Sequence, residues 1–127
     1  MTENDVAHEI VDAAFRVHIG LGPGLLESAY QVVLCHELCK RGLQIETEVP
    51  IPVKYDGEVL EVGFRADILV ENMVIVELKS VELIQPVHAK QLRTYLRLAD
   101  KRLGLLINFN VELIKKGIMR VVNGMPD

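Results

Sequence analysis

The sequence contains no tryptophan and only three tyrosines and three phenylalanines. A ladder of aromatic rings on which single-stranded nucleic acid could stack is therefore not expected. Cysteine is almost as scarce. Cys35 and Cys39 lie four apart in a helical pattern, where the thiols share a face but make a poor disulfide. Both read as free thiols; a zinc site would need two more ligands, and the adjacent His36 points off that face. No apolar run approaches the roughly 18 residues of a membrane span. "MTENDVAHEI" carries acids where a secretory leader carries basic residues, so a cytoplasmic location is expected. No internal repeat, linker or low-complexity stretch interrupts the 127 residues, which read as one domain, 1–127. Half of the residues are hydrophobic and a quarter charged, a balance that excludes disorder and suffices for a core without metal or disulfide staples.

The net charge of −4 gives no general attraction to polyanions, but the charge is unevenly spread. Residues 1–78 hold 5 Lys/Arg against 14 Asp/Glu, and residues 79–127 hold 9 against 4. A phosphate-facing side built from the C-terminal half is one reading, with Arg93, Arg97, Lys101 and Arg102 tracking a backbone; an ordinary solvated surface is the other.

Apolar residues recur at helical spacing from Asp5 to His18 (Val6, Ile10, Ala13, Ala14, Val17), predicting a first helix. "GLGPG" (20–24) stops it. A second helix is expected over 25–40, with Leu26, Ala29, Tyr30, Val33 and Leu34 inward and Gly42 as its stop. The period then becomes two. "QIETEVPIPVKY" alternates, yet Pro50 and Pro52 cannot both donate to a central ladder, so it reads as an edge strand. Asp56-Gly57 marks a hairpin turn into a strand over 59–70, which reverses near Glu71-Asn72 into 74–79. A third helix (87–99) and strands over 102–109 and 118–123 complete the order ααβββαββ. That order describes an α/β chain of α+β character, a central mixed sheet flanked by helices.

The chemistry concentrates in "VIVELKS" (74–80). Alternation puts Ile75, Glu77 and Lys79 on one face and Val74, Val76 and Leu78 on the other. Burying an acid and an amine for stability alone is poor physics, since desolvating each ion costs several kcal/mol. The preceding "GFRADILV" places Asp67 among apolar neighbours too. A two-residue Glu71-Asn72 loop would pair residue 67 with 76 and send Glu77 to the opposite face; an odd loop keeps the acids together. Asn72 tolerates the left-handed backbone that a three-residue loop needs, so an odd loop or a bulge is expected, with both carboxylates on one face. Two carboxylates about 4 Å apart repel by roughly 4 kcal/mol at an effective dielectric near 20. Hard oxygen ligands of this kind suit Mg²⁺ or Mn²⁺, and such an ion would activate water and stabilise charge on a phosphoryl oxygen.

Asp67, nine residues, then Glu77-Leu78-Lys79, preceded by a helix with a single inward glutamate, resembles the core of the PD-(D/E)XK nuclease superfamily. "GLLESAY" (24–30) has the G-x-x-E-x-x-Y pattern that names a family of small bacterial proteins assigned to that superfamily. "QLRTY" (91–95) has the Q-x-x-x-Y pattern of its recombination-type nucleases, and "GLLINFN" with "IKKGIMRVVN" is similar to the C-terminal portion of the small bacterial family. The resemblance implies a restriction-endonuclease-like fold and metal-dependent hydrolysis of nucleic acid, DNA before RNA. It implies Asp67 and Glu77 as direct ligands of Mg²⁺ or Mn²⁺, a contribution from the Leu78 carbonyl, Glu27 reaching the ion or its water, Lys79 as the catalytic lysine, and Gln91 and Tyr95 lining the cleft. Ala66 stands where the pattern often has proline, a position without a ligand role. A homodimer is compatible with this reading.

Other readings of the same residues stay open. Glu27 also reads as an acid favouring a helix N-terminus, Tyr30 and Tyr95 as core aromatics with a hydrogen-bonded tip, and His88 as a surface histidine or a phosphate contact. A noncatalytic module binding nucleic acid or protein, and a structural ion network without any ligand, are the rival functions.

Overall fold

The computed structural model describes residues 1–126. Its first helix, α1 (Glu3–Leu21), starts at a capping box: the Thr2 side chain accepts from the Asp5 N–H, and the Asp5 carboxylate accepts from the Thr2 N–H. Two donors that a helix end leaves orphaned are thereby satisfied. α2 (Glu27–Lys40) packs against α1 with Tyr30, Leu34 and Leu38 inward. Leu26, expected in that stripe, is 77 % exposed. The helix starts one residue later, and Leu26 still has the extended backbone of the entering loop. Arg41 closes the helix pair, its guanidinium reaching Asp12 (2.7 Å) and Glu9 (3.4 Å) on α1 and Glu37 (3.3 Å) on α2.

The next segment differs from its sequence reading. The strand expected over "QIETEVPIPVKY" is two: β1 (Ile45–Pro50) and β2 (Val53–Tyr55). The strand expected over 59–70 is also two, β3 (Glu58–Leu60) and β4 (Arg65–Val70). β2 and β3 pair only with each other, around Asp56-Gly57, while β1 pairs with β4. The break on one side is Pro50-Ile51-Pro52, where two of three residues lack an N–H to continue a ladder. On the other it is Gly63, whose φ of 83° takes the chain out of extended geometry.

The main sheet runs β1-β4-β5-β6-β7, with β5 (Val74–Lys79), β6 (Leu103–Asn108) and β7 (Ile118–Val122). With the short ribbon set aside, its strands and helices follow the expected order ααβββαββ. β5 and β6 are parallel and every other neighbouring pair is antiparallel. A parallel pair needs a crossover, supplied by α3 (Pro86–Ala99). α1 and α2 cover one face through Ile68, Val70, Val74, Val76, Leu78 and Ile107; α3 covers the other through Leu92, Tyr95 and Leu96, against Ile75 and Leu106. β6 is buried along its whole length, as its unbroken apolar run requires. Gly104 lets α3 approach closely: a Cβ there would meet the Leu92 side chain at 3.0 Å. As expected, β1 lies at a sheet edge. Among the described residues no helix is long and apolar enough to cross a membrane.

Candidate active site

Val70 pairs with Val74, so the β4–β5 loop is Glu71–Met73, three residues, with Glu71 and Asn72 left-handed at φ 53° and 55°. The odd loop brings Asp67 opposite Glu77. Backbone pairing between the strands runs from Val70 and Val74 to Ile68 and Val76 and stops there. At the next step side chains replace the ladder: the Asp67 N–H donates to Glu77 Oε1 at 3.0 Å, and the Leu78 N–H donates to Asp67 Oδ2 at 2.8 Å. Each carboxylate therefore takes a backbone donor from the opposite strand, the kind of hydrogen bond that an ionised acceptor strengthens.

Burial works against that ionisation. Glu77 is 8 % exposed, and its carboxyl is pushed up to about 8, first by burial and second by the Asp67 charge, with the Asp67 N–H and Lys79 pulling the other way. Asp67 is also raised, chiefly by burial, with Glu48 and Glu27 adding to it and the Leu78 N–H and Lys79 opposing. Lys79 is half-buried on β5 and takes part in no ion pair among the described residues. Its charge reaches both acids without neutralising either. On α3, Gln91 Nε2 donates to Tyr95 Oη at 3.0 Å. The Tyr95 phenol is raised by burial and then by the charges of Glu77 and Asp67, and its ring packs in the same cluster as Ile75 and Leu69; Gln91, one turn earlier, is exposed.

Glu27 is the first residue of α2 and is exposed rather than inward. Among the described residues no three His, Cys, Asp or Glu side chains gather into a ready-made cation cage. The structure thus joins Asp67 to Glu77 and leaves Glu27 within electrostatic reach of Asp67. His88 Nδ1 accepts the Gln85 N–H at 3.0 Å, closing the start of α3. Lys101 Nζ is bonded to Asn72, and Arg102 sits 3.9 Å from Glu3; Arg93 and Arg97 are exposed and in none of the ion pairs. Cys35 and Cys39 are free thiols, and burial pushes Cys35 up to about 11.

Four residues at or near the site carried no sequence signal. Glu48 sits on β1 where the register skips from Thr47–Ile68 to Val49–Ala66, opposite Asp67, with a left-handed φ of 51°. Gln31 bridges it to β4, its Nε2 donating to Glu48 Oε1 (3.2 Å) and to the Asp67 carbonyl (3.3 Å). Asn108, buried on β6 beside Lys79, holds the chain after β5 by bonds to the Val81 N–H and carbonyl. Ser80 Oγ donates to the Leu25 carbonyl at 2.5 Å. None lies in a pattern of period or spacing; only long-range contacts reveal them.

The donor set suits a small hard cation. Side-by-side carboxylates are hard oxygen donors of the kind Mg²⁺ takes from a protein when water and a substrate phosphate complete its shell, and here burial and the Asp67 charge both disfavour the ionised Glu77. Comparison with known families gives an independent line: the family model described as the PD-(D/E)XK nuclease superfamily matches residues 4–121. No curated protein and no solved structure matches the chain.

Proposed function

The chain belongs to the PD-(D/E)XK nuclease superfamily, its three helices and five-stranded mixed sheet forming a restriction-endonuclease-like domain, and on that footing we propose that it hydrolyses nucleic-acid phosphodiester bonds, DNA before RNA, with Mg²⁺ or Mn²⁺. The observation that carries this reading is the interlocked pair of Asp67 and Glu77, two acids held side by side at an opened ladder and left without a neutralising partner. Asp67, Glu77 and the Leu78 carbonyl would hold the ion, with Glu27 reaching it through water. When bound, the ion supplies the positive charge that acidifies a water and stabilises a developing charge on phosphoryl oxygen. Glu77, whose proton burial retains in the absence of a cation, would be favoured in its ionised form beside a bound one, the proton passing to solvent. Lys79 orients the attacking water or holds the scissile phosphate, where a fixed cation is most effective in a partly desolvated site. Gln91 and Tyr95 position the substrate or Lys79, and the exposed Arg93 and Arg97 follow the phosphate backbone by charge.

The test is cleavage of duplex and single-stranded DNA and of RNA. Turnover is expected with Mg²⁺ or Mn²⁺ and is lost when a chelator removes the ion. No cleavage of any of these with either ion would overturn the proposal. The second reading is a noncatalytic module binding nucleic acid or protein, favoured by the exposed position of Glu27 outside any three-acid cage; it predicts metal-independent binding without turnover.

A further inference from the structure

α2 has an unusual start. Its N-cap residue, Leu26, offers no side-chain acceptor to the first turn, although such a cap ordinarily stabilises a helix start. The preceding residue, Leu25, is instead held at both its N–H and its carbonyl. The Leu25 N–H donates to Tyr30 Oη at 3.1 Å, and the same hydroxyl donates to the Gly22 carbonyl at 2.6 Å. The Tyr30 ring is fully buried and stacked on Phe109, with centroids 4.5 Å apart and planes 8° from parallel, so the hydroxyl is a fixed point. Gly22 and Gly24, at φ 70° and 102°, give the loop the turns that other residues rarely make. The Leu25 carbonyl then accepts from Ser80 Oγ at 2.5 Å. Ser80 follows Lys79 directly, and Glu27 follows Leu25 by two residues.

A single hydroxyl thus connects the end of β5, where Lys79 leaves the sheet, to the start of α2, where Glu27 begins it. One turn further along α2, Gln31 makes the second tie, to the Asp67 carbonyl. Glu27 and Gln31 are four apart and lie on one helical face. No other side chain bonds the loop before Glu27 to β5 or the residue after it among the described residues.

We propose that Ser80 is a positioning residue for the cation site, holding the start of α2, and with it Glu27, at the end of β5 within reach of the Asp67–Glu77 pair through its bond to the Leu25 carbonyl. The proposal rests on the reading of that site given above and extends it: Glu27 contributes through a placement that Ser80 imposes, and Tyr30 anchors the same residue, Leu25, through its N–H. Removing the hydroxyl lets the start of α2 relax away from β5, while the core beneath, built on Tyr30, Leu34 and Leu38, is untouched.

The experiment is a double-mutant cycle read by calorimetric titration with Mn²⁺ and by melting temperature, on the full chain, for wild type, Ser80→Ala, Glu27→Gln and the double variant. Ser80→Ala is expected to weaken Mn²⁺ binding about tenfold, as losses behind a metal ligand do, and to leave the melting temperature of the metal-free protein nearly unchanged. Glu27→Gln is expected to weaken binding at least as much, and adding Ser80→Ala to it should weaken binding no further. Ser80→Thr, which keeps the hydroxyl, should restore most of the affinity. Wild-type affinity in Ser80→Ala overturns the proposal, and so does an equal loss from Ser80→Ala in both backgrounds, since the serine would then act elsewhere than through Glu27. Failure of the wild type itself to bind Mn²⁺ overturns the site reading and this inference with it, and is distinguishable because no variant is then needed to see it.

Discussion

Replacing Glu77 by glutamine is expected to stabilise the metal-free protein at pH 8.5 by on the order of 4 kcal/mol, seen as a rise in melting temperature of roughly 15 °C. The Glu77 carboxyl is held near 8 in the fold against an ordinary value of 4.5, chiefly by burial and then by the Asp67 charge. A raised acid keeps its proton in the folded state after the unfolded chain has lost it. Between about pH 4.5 and 8 the folded state therefore binds more protons, and stability falls as pH rises through that window. Below it the group is neutral in both states and costs nothing; above it the whole cost is present. Glutamine retains an oxygen to accept the Asp67 N–H and carries no charge to bury. Melting curves of the two proteins should coincide near pH 4 and separate progressively to pH 8. Parallel curves across that range would show that Glu77 is not the buried titrating group. The same substitution removes a proposed ligand, so the stabilised variant is expected to be inactive, the trade that functional carboxylates commonly impose.

Lys79→Ala is expected to lower turnover about 10²- to 10³-fold, the usual loss when one fixed group that stabilises transition-state charge is removed. The fold should survive, because Lys79 is half-buried and joins no ion pair among the described residues. Its charge lowers both Asp67 and Glu77, so without it those carboxyls rise further in the metal-free protein. Once a cation is bound, the missing ammonium no longer repels it. The signature is therefore a fall in kcat with metal affinity equal to or above that of wild type. A variant cleaving at the wild-type rate, or one losing activity only because it no longer binds metal, would remove Lys79 from the chemistry. Steady-state kinetics alongside an Mn²⁺ titration separates these outcomes.

Much of the site was legible because strands and helices repeat with fixed periods. Alternation along β5 placed Glu77 and Lys79 together, and the tolerance of Asn72 for left-handed backbone pointed to the three-residue loop that aligns Asp67 with Glu77. The prolines at 50 and 52 identified an edge but not the split into two sheets, since which strand pairs with which is decided by contacts far apart in sequence. Glu48 was unreadable for a different reason: a left-handed glutamate inside a strand violates local preference, and only its neighbours Gln31 and Arg65 reveal what holds it. Ser80 and Asn108 act on residues 55 and 27 positions away, beyond any window of periodicity. Glu27 stands at the first turn of α2 and is exposed, whereas the resemblance implied an inward glutamate; how far a first-turn side chain leans toward a neighbouring strand is decided by tertiary contacts, not by helical period.

The central claim is that Asp67 and Glu77 form a cation site, and thermal melting at pH 8 against increasing Mg²⁺ or Mn²⁺ tests it most directly. Wild type should gain stability with concentration, by about 2.7 kcal/mol at a hundred times Kd, while Asp67→Asn starts more stable and stays flat. A wild-type melting temperature that does not move, or one that rises equally in both proteins, would contradict the account.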